Sequence, residues 1–270
     1  MDKIIYRALT VAGSDSGGGA GIQADLKTFM AHGVYGCSAI TAITAQNTMG
    51  VKGVEIIPPE MVSAQMEAVL SDIGCDAMKT GMLGNAEVVL AVAGSIRSFS
   101  IANLVVDPVL VSTSGHRLSG QDTIDSYIKE IFPLALLVTP NLFEAEAFYG
   151  KPIETESQLS DAAIKILGYG PRWVLIKGGH RNFTTGKNMV TDLLTDGTIF
   201  EEINNPRIET RCTHGTGCTL SAAITAGLAR GLELQQAVRE AEKYLHTAIK
   251  TAVPLGKGYG PVNHGPWNSN

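Results

Sequence analysis

The chain has 270 residues, of which 44% are hydrophobic and 17% charged, and its net charge is −5. That length holds one large α/β domain or two small ones, and the composition is that of a globular enzyme rather than a disordered chain. The acidic balance and the lack of a Lys/Arg run argue against nucleic acid or an anionic membrane surface as partner, and the apolar runs are too short to span a bilayer.

Met1 to Arg7 runs straight into a strand-like segment and lacks the apolar core and cleavage site of a signal peptide, so the chain is expected in the cytoplasm. Leu9 to Ala12 reads as a buried strand. A glycine loop and an amphipathic helix from about Gly21 to Ala31 follow, with Gly33 as the residue that ends the helix. Ser38 to Ala45 is a β-branched, apolar strand, and Pro58-Pro59-Glu60 opens a helix with apolar Met61, Val62, Met66, Val69 and Leu70. Ala77-Met78-Lys79 is a short strand ending at Gly81, and a helix covers about Ala86 to Ser95. Three strand-then-turn segments come next: Asn103 to Pro108, Leu136 to Asn141 and Trp173 to Gly179. Near-continuous apolar strands separated by helices indicate a parallel sheet covered on both faces.

Met189 to Ile203 differs, with two strand-like runs joined by Asp196-Gly197, which predicts an antiparallel hairpin at an edge. A final helix spans about Glu233 to Ala252. No linker or internal repeat divides residues 1–270, so a single domain is expected. Cys37 and Cys75 read as small core residues, and the four cysteines include no C-x-x-C pair. The six histidines (His32, His116, His180, His214, His246 and His264) show no zinc-binding spacing.

In such sheets a ligand binds outside the carboxyl ends of the strands. The polar residues that interrupt the pattern fall there: Asp15, Asp25, Gln46-Asn47, Lys79-Thr80, Asp107, Asn141, Glu144, Lys177 and Cys218. The most informative stretch is Thr213 to Leu220, where Gly215 and Gly217 alternate with small polar residues and Cys218 follows as a helical pattern begins. A glycine turn running into a helix aims unpaired N–H groups and the positive end of the dipole at one point, which suits an anion. The same dipole is expected to lower the Cys218 pKa. The alternative is a glycine turn capping a core helix with a buried cysteine. The N-terminal loop Gly13 to Gly21 lacks the lysine and Ser/Thr of a phosphate loop, because Gly19 and Ala20 stand there; it serves either as close backbone approach to a ligand or as a turn opening a helix.

Together these segments closely resemble the hydroxymethylpyrimidine/phosphomethylpyrimidine kinases of thiamine biosynthesis, within the ribokinase-like superfamily, from about Ala8 to about His264. The motifs that carry the resemblance are Ala12 to Ser16 with Gly18 to Lys27, Thr44 to Thr48, Lys79 to Leu83, Val106 to Val109, Thr139 to Ala145, Lys177 to His180, and His214 to Thr219. The resemblance implies a three-layer α/β/α sandwich with a mostly parallel sheet. It implies two ATP- and Mg²⁺-dependent phosphorylations, of 4-amino-5-hydroxymethyl-2-methylpyrimidine and then of its monophosphate, and a homodimer.

By the family pattern, Asp25 and Gln46 would hydrogen-bond the aminopyrimidine, with Gly13, Met82 and Val109 packing round the ring. Cys218 would accept the hydroxymethyl proton beside the Gly215, Thr216 and Gly217 amides. Lys177 would neutralise transferring phosphate oxygens, although a strand-end lysine is also commonly just solvated. Asn141 and Glu144 resemble an N-x-x-E unit associated with Mg²⁺, with Asp107 sharing that role; a helix cap with a capping box is the other reading of the same pair. His214 is either a functional neighbour or only a shaper of the turn. The competing readings are a pyridoxal kinase, a non-catalytic pyrimidine- or thiamine-sensing protein and, more weakly, a sugar kinase.

Overall fold

A computed structural model describes residues 4–110, 120–179 and 188–265; His116 and His180 of the sequence analysis lie outside them. The strands are β1 (Arg7–Asp15), β2 (Tyr35–Asn47), β3 (Gly50–Ile56), β4 (Ala77–Thr80), β5 (Leu104–Val106), β6 (Leu137–Val138), β7 (Trp173–Ile176), β8 (Met189–Thr195) and β9 (Phe200–Pro206). The helices are α1 (Gly21–Ala31), α2 (Pro59–Asp72), α3 (Ala86–Ser98), α4 (Gln121–Ser126), α5 (Leu142–Tyr149), α6 (Glu156–Leu167), α7 (Thr216–Ala229) and α8 (Leu234–Lys250). The strands form one continuous sheet in the order β3-β2-β1-β4-β5-β6-β7-β8-β9. The central pairings from β2 to β7 are parallel. β3 at one edge and β8–β9 at the other run antiparallel.

Alternation along each buried strand divides the core in two. Leu9, Val11, Met78, Leu104 and Val106 point to the face covered by α2 to α6, where Val62, Met66, Val88 and Val92 meet them. Ala8, Ala77, Val105, Leu137 and Leu175 point to the opposite face, under α1, α7 and α8. The three-layer α/β/α expectation is met. α7 is buried nearly all round, which is why its sequence is so rich in Ala and carries no charge.

Two parts of the architecture go beyond the sequence reading. β3 pairs with β2 through a tight turn in which Asn47 Oδ1 accepts the Met49 N–H at 2.9 Å. Its residues are half-buried or exposed throughout, so they carry none of the apolar alternation that reveals a strand. Helices α4 to α6 fill the stretches between β5, β6 and β7. Among the described residues, no helix is long and apolar enough to cross a membrane.

β1 lies between β2 on one side and β4 on the other, so successive connections diverge beside it. Such a switch point opens a crevice at the carboxyl ends of the strands.

Candidate active site

The ends of β1, β2, β4, β5, β6 and β7 and the start of α7 surround a cavity of about 520 Å³, a size suited to small ligands. Gly13, Gln46, Met82, Val109, Asp107, Asn141, Glu144, Lys177, Gly215, Thr216, Gly217 and Cys218 all border it. Asp15, Lys79 and His214 join them.

The two glycine segments have different roles. In the N-terminal loop the Asp15 carboxylate accepts from the Gly17, Gly19 and Ala20 amides at 2.7, 3.0 and 2.9 Å. The Gly18 N–H donates to the Asp15 carbonyl at 2.9 Å. These donors therefore face the carboxylate or the carbonyl of Asp15 and are not available to a phosphate. Burial opposes ionisation of Asp15, but the His214 hydrogen bond, its charge and the loop amides hold the carboxyl below its usual range. At the second segment Gly215 has φ of 79° and begins α7, and a Cβ there would run into the Gly19 carbonyl. Only glycine fits that approach. Thr216, Gly217 and Cys218, in the first turn of α7, border the cavity.

Lys177 stands beside this turn. Its ammonium donates to Asp107 Oδ1 at 2.8 Å, and its Nζ would lie 3.1 Å from a Cβ placed on Gly217. Burial disfavours the charged lysine, yet the Asp107 and Glu144 charges outweigh it and raise its pKa. Asp107 Oδ2 also accepts from Ser221 at 3.3 Å.

Asn141 and Glu144 adopt the capping arrangement. Asn141 Oδ1 accepts the Glu144 N–H at 3.0 Å, while Glu144 Oε2 accepts the Asn141 N–H at 2.8 Å. Glu144 Oε1 accepts from Leu110 N–H at 3.2 Å. Burial, reinforced by the nearby Asp107, pushes the Glu144 carboxyl up to about 7 despite Lys177. The cap and the cavity position therefore coexist in one residue pair. Among the described residues, no cluster of three or more His, Cys, Asp or Glu converges on one point.

Two expectations need correction. Asp25 does not border the cavity: its carboxylate is wholly buried, accepts from Lys79 at 2.8 and 3.0 Å and takes the Thr10 hydroxyl at 2.7 Å. α1 turns Asp25 inward onto β1 and β4, so Lys79, not Asp25, reaches the cavity wall.

Cys218 is the second case. Its thiol is pushed up to about 11, chiefly by burial, with the Asp25 and Asp107 charges adding to it against Lys79 and a hydrogen bond from the Gly21 N–H. A helix end contributes roughly 0.3–1 kcal/mol, under one pKa unit, whereas desolvation moves buried groups by as much as about 3–5 units. Burial wins, and the resting group is a neutral thiol.

The remaining acceptor-side residues fit tightly. A Cβ on Gly13 would lie 2.8 Å from Met82 Cε, so glycine admits the methionine to the cavity. Val109 sits at φ of 45°, a left-handed conformation rare for a β-branched residue. Such strain costs about 1–3 kcal/mol and clusters at functional sites. Gln46 lies between Thr44 Oγ1, 3.2 Å from its Oε1, and His214 Nε2, 3.3 Å from its Nε2.

Sequence reasoning missed one more group altogether. On the cavity wall Glu242 faces Asp192, accepts from Asn205 at 2.9 Å, and keeps a buried Oε1 without a partner. Burial and the Asp192 charge push its carboxyl up to about 10. The only signal in the sequence is an aspartate inside an otherwise uncharged strand run, Met189-Val190-Thr191-Asp192-Leu193-Leu194. A pKa raised from 4.5 to about 10 stabilises the fold fully below pH 4.5, and that contribution is lost as pH rises toward 10. Glu242→Gln keeps the shape, offers Asp192 an N–H and removes the titration. It should raise the melting temperature at pH 9 by several degrees and leave it almost unchanged at pH 5, as read by thermal denaturation across that range.

A ribokinase-like α/β/α sheet with a glycine turn opening a helix, a largely buried lysine side chain beside it and a cavity at the switch point defines a small-molecule kinase, an enzyme of the phosphotransferase class. The profile of the family described as Phosphomethylpyrimidine kinase matches residues 15–263. The hydroxymethylpyrimidine/phosphomethylpyrimidine kinase of Rhizobium meliloti is 53% identical over 260 residues, covering 95% of this chain and 96% of that protein. The crystal structure of phosphomethylpyrimidine kinase from Clostridium difficile is 43% identical with a TM-score of 0.80, covering 90% of this chain and 99% of that one. An ADP complex of Bacillus subtilis pyridoxal kinase is 38% identical with a TM-score of 0.89, covering 99% and 100%. The chain belongs to the phosphomethylpyrimidine kinase family.

Proposed function

We propose that the protein transfers the γ-phosphoryl group of ATP first to the hydroxyl of 4-amino-5-hydroxymethyl-2-methylpyrimidine and then to the resulting monophosphate, giving the diphosphate used in thiamine biosynthesis. The observation that carries this reading is the placement, round one cavity, of the Lys177–Asp107 pair against the Gly215–Gly217 turn with Cys218 and Gln46 on its wall.

Phosphoryl transfer is mainly positioning and charge stabilisation. The first-turn amides of α7 and the Lys177 ammonium meet the charge spread over the transferred phosphoryl oxygens. Cys218 takes the hydroxymethyl proton in the first step, acting through its minor thiolate form. Gly13, Met82 and Val109 hold the ring, and Gln46 reads its polar edge. Asp107 and Glu144, with Asn141 beside them, provide buried oxygen donors that suit Mg²⁺ held largely through water. Burial, with a smaller contribution from Asp107, raises the Glu144 pKa, and a cation there would favour the ionised carboxylate. A cation held there would supply positive charge to offset the nucleotide phosphates.

The working assembly is a homodimer of single-domain chains in the cytoplasm. The continuous sheet supports one domain, and the homodimer rests on the family resemblance. Light scattering at micromolar concentration should give twice the chain mass; a monomer would count against it.

The resemblance to a pyridoxal kinase structure makes pyridoxal phosphorylation the second reading. Mass spectrometry of reactions containing ATP, Mg²⁺ and each acceptor separates the two. Mono- and diphosphates of hydroxymethylpyrimidine are expected. Product from pyridoxal alone would overturn the acceptor assignment, and no product from either would favour a sensing role.

A further inference from the structure

The Asp15–His214 pair, unexplained by phosphoryl transfer itself, bears on acceptor choice through its neighbour Gln46. His214 Nε2 lies 2.8 Å from Asp15 Oδ2. An ionised carboxylate only accepts, so this ring nitrogen carries the proton. With its nitrogen toward His214, the Gln46 amide would set an N–H 3.3 Å from that same nitrogen, and an N–H facing an N–H is repulsive. A half-turn of the amide interchanges its oxygen and nitrogen with almost no change in shape. With the half-turn, Gln46 Oε1 takes a share of the N–H that His214 donates to Asp15.

The other end of the amide gives the same answer independently. The Thr44 hydroxyl donates to the Ser14 carbonyl at 2.9 Å, so toward Gln46, 3.2 Å away, it offers a lone pair. A lone pair suits an amide N–H and disfavours an amide oxygen. Asp15 is itself fixed by three loop amides, so the chain of orientation starts from a rigid point.

We propose that Asp15, His214 and Thr44 are positioning residues that lock the Gln46 amide in one orientation and thereby set the acceptor specificity, a proposal that rests on the function inferred above. The locked amide presents a carbonyl lone pair on its His214 side and an N–H on its Thr44 side. An exocyclic amino group next to a ring nitrogen matches that pair, donor to acceptor and acceptor to donor, as an amide side chain matches the edge of adenine. A pyridine ring carrying a phenolic hydroxyl and an aldehyde does not supply the same adjacent pair. Releasing the amide lets it turn and lets either edge bind.

The test uses the full-length enzyme with hydroxymethylpyrimidine and pyridoxal as separate acceptors. Thr44→Val and His214→Phe each remove one lock with little change of shape, and Thr44→Ser keeps the hydroxyl. Each of the first two should raise KM for hydroxymethylpyrimidine by about 5- to 150-fold, the range for a buried polar group left without its partner, with KM for ATP changed less than about twofold. The ratio of kcat/KM for hydroxymethylpyrimidine over pyridoxal should fall by a similar factor, while Thr44→Ser keeps it. Equal rises in both KM values, an unchanged ratio, or equal damage from serine and valine at position 44 would each overturn the proposal. Thermal melting confirms that the variants are folded, and His214→Phe tests the lock if the Thr44 variant is unstable. A wild-type enzyme that phosphorylates pyridoxal alone refutes the functional reading itself, and the proposal with it, before any variant is made.

Discussion

Replacing Lys177 with Met should lower kcat for both phosphorylations by about 10²–10³-fold, the usual loss when a charge-stabilising donor is removed from a transition state. The same oxygens gather charge in each step, so the two losses should be similar. The substitution has a second effect. Asp107 is almost fully buried and Lys177 is its ion-pair partner at 2.8 Å. Removing one member of a buried pair costs about 3–5 kcal/mol, because a charge is left without its counterion. Lys177→Met should therefore melt earlier as well as work more slowly. Asp107→Asn added to it removes the orphaned charge and should restore most of the melting temperature while activity stays low. Activity returning together with stability in the double variant would make Lys177 a structural residue and end its catalytic assignment.

The parallel core of the fold was legible because a strand buried on both faces is an unbroken apolar run. Val105-Val106, Leu137-Val138 and Val174-Leu175-Ile176 announce themselves in that way, and each is followed within three residues by a polar residue on the cavity. The β8–β9 hairpin was legible through Asp196-Gly197, where Gly197 takes φ of 92°. The β3 edge was not, since its exposed residues lack any two-residue period.

The site divides along the same line. Residue types and strand ends point to Asp107, Lys177, Gly215 and Cys218, because those are read one position at a time. Asp25 was misplaced because the sequence puts it on an amphipathic helix but does not say that Lys79, 54 positions away, turns to meet it. The Asp192–Glu242 contact joins two distant elements in the same way. Cys218 shows the limit most sharply. The glycine turn and helix start are local and could be read, whereas desolvation depends on everything packed around the sulfur, and that larger effect decides its protonation.

Cys218→Ala should reduce phosphorylation of hydroxymethylpyrimidine by about 10²–10⁴-fold, the usual range for losing a general base, and reduce phosphorylation of the monophosphate by much less. The first acceptor is a hydroxyl whose proton must leave; the second is already an anion. The backbone of Gly215, Thr216 and Gly217 remains in place in the variant, so charge stabilisation by the turn survives in both steps. The raised thiol pKa adds a signature that mere positioning lacks. Thiolate is the deprotonated form, so its fraction grows with pH until the pKa of about 11 is passed. Where chemistry limits the wild-type rate, the first step should therefore rise with pH by roughly tenfold per unit near neutrality, without a plateau below about pH 10. The rise should vanish in Cys218→Ala and be absent from the second step in either protein. Both steps are measured separately at saturating ATP and Mg²⁺, with melting curves at each pH. Equal losses in the two steps, or a first-step profile that stays flat in the wild type, would assign Cys218 to packing against the ring and leave the hydroxyl proton to pass directly to the phosphoryl oxygens or water as the loose transition state forms.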